Sequence, residues 1–92
     1  LGSPATTDPI DAGVRQHAER VLELLGDLPD NDAMCLQHPN VCLLSAQAYI
    51  KLGQLDKAEK YVNRFLGYVP KGGRDIGNTL LKMISSYRAN GN

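Results

Sequence analysis

Residues 46–60 read Ala46-Gln47-Ala48-Tyr49-Ile50-Lys51-Leu52-Gly53-Gln54-Leu55-Asp56-Lys57-Ala58-Glu59-Lys60. Before Gly53, Cys42, Leu43, Ala46, Tyr49 and Ile50 recur at three- and four-residue steps. After it, Ala58, Tyr61, Val62, Phe65 and Leu66 do the same. That spacing places each set on one face of an α-helix. Gly53 between them supplies the backbone freedom of a tight turn. The stretch therefore predicts two amphipathic helices, about residues 39–52 and 55–67, folded back on each other.

Upstream, Val14, Ala18, Val21, Leu22 and Leu25 make a further stripe, which predicts a helix from about Pro9 to Leu25. Asp8 is its expected cap, with Pro9 at the first helical position. Gly26 and Pro29 end it. Asp30 to His38 is polar and irregular, and reads as a loop with at most one helical turn around Met34 to Leu36. Downstream, Pro70 and Gly72-Gly73 break the chain. A last helix is expected from Asp75 to Ala89, with Ile76, Leu80, Met83, Ile84 and Tyr87 on its apolar face. No segment alternates with the two-residue period of a strand. The expected fold is all-α, with four antiparallel helices stacked together. Without Trp, and with only five Tyr and Phe, its core is expected to be mostly Leu, Val, Ile and Ala.

The sequence also echoes itself. Tyr49-x3-Gly53 returns as Tyr87-x3-Gly91 at a shift of about 38 residues, which pairs Leu43 with Leu81 and Ala46 with Ile84. Ala18-Glu19-Arg20 returns as Ala58-Glu59-Lys60, and Gly26-x2-Pro29 as Gly67-x2-Pro70. On these residues the chain resembles the tetratricopeptide repeat family. Ala46, Tyr49, Gly53, Ala58 and Pro70 match that family's small residue, Tyr, turn Gly, second-helix Ala and terminal Pro. The resemblance covers roughly residues 40–70 well and the flanking helices loosely. It implies one complete helix pair with a single helix on each side. The sequence departs from the family at Cys42, where a large aromatic is usual, and at Phe65, where a small residue is usual. Its repeat is also longer than the usual length of about 34. A bulky Phe65 is expected to push the following helix outward.

The resemblance implies a protein-binding module, a scaffold or adaptor, rather than an enzyme. First helices of stacked pairs line the concave face in that family, so the expected partner-binding residues are Leu43, Leu44, Gln47, Ile50, Leu81, Lys82, Ser85 and Arg88. The expected partner is a peptide or amphipathic helix of another protein. Leu43→Asp and Leu81→Asp are expected to abolish binding while helix content survives. The alternative is a structural module whose open helices bury against a second copy, as a homodimer, or against the rest of a larger repeat protein. Leucines at 43 and 81 disfavour the carboxylate clamp that some family members use. They equally disfavour a pentatricopeptide-like RNA site, because leucine offers no hydrogen bond to a base edge.

Charge agrees with that choice. Ten Lys plus Arg balance ten Asp plus Glu, and the basic residues are scattered. No field draws in nucleic acid. No apolar run is long enough to span a membrane, and a cytoplasmic location is expected. Cys35, His38 and Cys42 lie close in sequence, but C-x2-H-x3-C matches no common zinc spacing. No metal or cofactor is expected. Buried free thiols are the default for Cys35 and Cys42, and a disulfide would require an exported protein. No orienting third group accompanies any Cys–His pair, so no catalytic residues are assigned. Leu1-Gly2-Ser3 reads as the remnant of a cleaved affinity tag, leaving residues 4–92 as the folded domain.

Overall fold

The computed structural model describes the backbone of residues 3–91 and the side chains of residues 13–89. Within them the chain is all-helical, with no strand. Five α-helices follow in order: α1 (Ser3–Leu25), α2 (Asp32–Gln37), α3 (Asn40–Lys51), α4 (Leu55–Tyr68) and α5 (Arg74–Gly91). Single 3-10 turns precede α2, at Leu28–Asp30, and α5, at Lys71–Gly73. Leu1, Gly2 and Asn92 lie outside the described residues, so most of the expected tag remnant does too.

The α3–α4 turn follows from Gly53. Its φ is +77°, a conformation that costs glycine little and other residues more. The Gly53 amide donates to the Ile50 carbonyl at 3.0 Å and the Gln54 amide to the Tyr49 carbonyl at 2.9 Å. These two bonds cap the last carbonyls of α3 in a Schellman arrangement. Ala46 and Ala58, one on each helix, are both fully buried and share a cluster with Tyr61, Val62, Leu80 and Ile84. Two Cβ methyls facing each other let the backbones of α3 and α4 close together. Tyr49 is half-buried and stacks on Tyr61, with ring centroids 5.6 Å apart.

Three expectations need correction. First, the segment after Pro29 is not a loop. Asn31 caps α2 by accepting from the Met34 amide at 2.9 Å, a strong helix-start signal. Second, α1 starts at Ser3 rather than at an Asp8 cap. Its stripe is only partly covered: Ala18 is buried, Val21, Leu22 and Leu25 are half-buried, and Val14 is exposed. Helix α1 packs chiefly on α3, and one neighbour cannot cover a whole apolar face. Third, the buried face of α5 is Gly77, Leu80 and Ile84, while Ile76, Met83 and Tyr87 are exposed. The core agrees with the expected composition: among the described residues it is mostly Ala, Val, Ile and Leu, namely Ala18, Ala46, Ala48, Ala58, Val62, Leu80 and Ile84, joined by Cys35, Cys42, Tyr61 and Phe65.

The rotation of α5 has its cause at the α4–α5 contact. A Cβ on Gly77 would stand 2.6 Å from Leu66 Cδ2 and 3.2 Å from Phe65 Cδ2. The bulk at Phe65 and Leu66 is thus received by a hollow on α5. The helix turns its glycine inward, and this turns Ile76, Met83 and Tyr87 toward the edge.

Candidate functional site

Two depressions flank α3. One lies between α3 and α5, with a volume of about 580 Å³, and is lined by Gln47, Ile50, Lys51, Leu80, Met83 and Tyr87. The other, about 160 Å³, lies between α1 and α3 and is lined by His17, Ala18, Val21, Leu44, Gln47, Ala48 and Lys51. Leu44, Gln47 and Lys51 recur at three- and four-residue steps, so they form the strip of α3 between the two. Gln47 and Lys51 border both.

The eight residues expected to bind a partner do not all fall on this face. Gln47 and Ile50 line the larger groove and Leu44 the smaller. Leu43 and Leu81 are half-buried and pack against the shared core of α3, α4 and α5. Leu43 also packs on a second cluster, around Cys35, Cys42 and Phe65. A charge at Leu43 or Leu81 would therefore enter the edge of the core, where it has no pair. Those two substitutions act on the fold before they act on binding. Arg88 points to α4, where it pairs with Asp56 at 2.6 Å and Glu59 at 3.1 Å. Lys82 and Ser85 are exposed but line neither depression. Met83 and Tyr87 carry the groove's apolar wall on α5 instead. Both stood on the predicted apolar stripe, and periodicity alone assigned them to the core.

A second constellation, not foreseen from the sequence, fixes the segment from Pro29 to Cys35. Tyr61, Arg64 and Tyr68 recur along one face of α4 and all donate toward it. The Tyr61 hydroxyl donates to Asp30 at 2.8 Å. Arg64 Nε donates to the Pro29 carbonyl at 2.9 Å, and its Nη2 to Asp32 at 3.1 Å and to Cys35 Sγ at 3.5 Å. The Tyr68 hydroxyl donates to the same Asp32 oxygen at 2.8 Å. The cluster includes the two thiols. Cys35 and Cys42 are free and fully buried, with their sulfurs 2.8 Å apart. Burial, then the contact with Cys35, pushes the Cys42 thiol up to about 12. Burial, then the Asp30 carboxylate, raises the Tyr61 hydroxyl above its ordinary value.

The hydrogen bond from Tyr68, and then that from Arg64, holds the Asp32 carboxyl below its ordinary range. A carboxyl with a depressed folded pKa stabilises the fold above its unfolded value, about pH 4, and that stabilisation is lost as pH falls through the folded pKa. Asp32→Asn is expected to lower the melting temperature at neutral pH, with the gap to wild type closing under acid. Melts from pH 7 downward check this. A gap that persists unchanged at the acid end would mean that Asp32 acts through packing rather than charge.

No helix among the described residues is long and apolar enough to cross a membrane. No family model, curated protein or solved structure matches the chain.

Proposed function

We propose that this chain is a protein-binding module with a tetratricopeptide-like arrangement, which takes an amphipathic helix or peptide of another protein in the groove between α3 and α5. The observation that carries this reading is the uncovered apolar wall of that groove. Met83 is 37% exposed and Tyr87 47% exposed, and they line it together with Ile50. Neighbouring exposed apolar side chains with a polar rim are what an interaction groove on a protein surface presents. Lys51 at the border favours a partner with an acidic residue beside its apolar anchors. Two features support the repeat-like arrangement: the α3–α4 hairpin closed at Gly53, and α5 packed mainly on α4 with a smaller contact to α3.

Burying one large apolar side chain contributes roughly 1.5–3 kcal/mol, about a tenfold to hundredfold change in affinity. A chain carrying Met83→Glu and Tyr87→Ala is therefore expected to keep its circular dichroism and lose its partner. The check is immobilised wild-type and variant chain exposed to the same cell extract, with bound proteins identified by mass spectrometry. Equal capture by both would remove the groove from consideration. Sedimentation over a concentration series tests self-association: a wild-type dimer that the double variant abolishes would assign the groove to a second copy of the chain.

A further inference from the structure

The Cys35–Cys42 pair has no part in the proposed groove. The two sulfurs sit on different helices, α2 and α3, and are 2.8 Å apart. Carbon atoms in contact rest at roughly 3.5–4.0 Å, and sulfur is larger. The fold thus holds the thiols closer than ordinary packing requires. Both side chains are fully buried, and the segment bearing Cys35 is held by Tyr61, Arg64 and Tyr68.

We propose that Cys35 and Cys42 form a preorganised dithiol that closes to an intramolecular disulfide by exchange with a small-molecule disulfide such as oxidised glutathione, tying α2 covalently to α3. The step balances. One cysteine, as thiolate, attacks the glutathione disulfide; a protein–glutathione disulfide forms and one glutathione leaves. The second cysteine, as thiolate, attacks the protein sulfur of that mixed disulfide and expels the second glutathione. Two protein thiols are oxidised, one glutathione disulfide is reduced, and the two protons end on the released glutathione thiols.

Three features of the site fit closure. The guanidinium of Arg64 lies 3.5 Å from Cys35 Sγ, a cationic neighbour of the kind found beside exchanging cysteines. Closure leaves no buried acceptor without a partner. The Pro29 carbonyl accepts from Cys35 at 3.2 Å and from Arg64 Nε at 2.9 Å, and keeps the second bond once the thiol proton is gone. Access comes from α2, which has only 6 residues. A helix this short opens locally without global unfolding, and it carries Cys35 outward while Cys42 stays in α3.

The test is equilibration of the purified chain in glutathione buffers of graded ratio, started from both the reduced and the oxidised chain so that slow access cannot pass for resistance. Trapping with iodoacetamide and intact mass spectrometry read the products. The expected product is a chain two hydrogen atoms lighter that takes up no label. Closure is expected to be at least roughly tenfold more favourable in the folded chain than in denaturant, because the fold supplies the effective concentration. Cys42→Ser is expected to stop at one glutathione on Cys35. Two attached glutathiones, disulfide-linked dimers, fully labelled thiols from both starting points, or equal closure with and without denaturant would each overturn the proposal.

Discussion

Phe65→Ala is expected to be the most damaging single truncation of this chain. Phe65 is the largest fully buried side chain among the described residues, only 2% exposed. It packs with Cys35 and Cys42 beneath the α2 segment, and its ring edge also reaches Gly77 of α5. Removing the ring opens a cavity at a point where α2, α3, α4 and α5 all depend on it. Buried Phe-to-Ala changes cost about 3–5 kcal/mol, against a total of roughly 5–15 kcal/mol for a small domain. For a chain of this size each kcal/mol moves the melting temperature by about 4–8 °C. A drop of at least roughly 12 °C is therefore expected by calorimetry or circular dichroism. A change of only a few degrees would show that the ring is not at the junction of these helices.

Gly77→Val should be the second. At an open helical position valine in place of glycine would be neutral or slightly stabilising, because glycine is the poorer helix former of the two. Here the first added carbon alone would stand 2.6 Å from Leu66 Cδ2 and 3.2 Å from Phe65 Cδ2. The tip of Leu66 can turn aside, but the Phe65 ring is buried and cannot. Overpacking of this kind costs about 1–3 kcal/mol. Gly67→Ala is the matched control. It lies on α4 with open space for 4 Å around the point where a Cβ would stand, and it is expected to gain up to about 1 kcal/mol from helix propensity. Denaturant titrations of the two variants should move in opposite directions. A neutral Gly77→Val would mean that α5 does not approach α4 at this glycine.

Both substitutions lie at the contact that also decides the groove. With Gly77 turned toward Phe65 and Leu66, the stripe of Ile76, Met83 and Tyr87 is left beside the core instead of inside it. The same rotation brings Leu80 and Ile84 inward and points Arg88 at Asp56 and Glu59. The apolar wall and the ion pairs of α5 are therefore two results of one packing choice.

Local chemistry was enough to determine much of this protein. Periodicity fixed α3 and α4 nearly to the residue, because both flanks of Gly53 carry helical stripes and Gly53 favours the turn. The small pair Ala46 and Ala58 announced a close helix contact, and both are fully buried. Sequence also carried the capping signal of α2, at Asn31, although the polar run around it obscured the helix. What tertiary structure alone decided was rotation and neighbours. An apolar stripe states that a helix has a face to bury, and leaves open how many helices will cover it. Helix α1 has chiefly one, so Val14 stays exposed; α5 has a hollow at Gly77, so its buried face is shifted from the most apolar one. For the same reason Leu43 and Leu81 joined the core rim, and the thiols of Cys35 and Cys42 met. Those placements depend on which side chains from distant segments fill the same space, a quantity no local pattern contains.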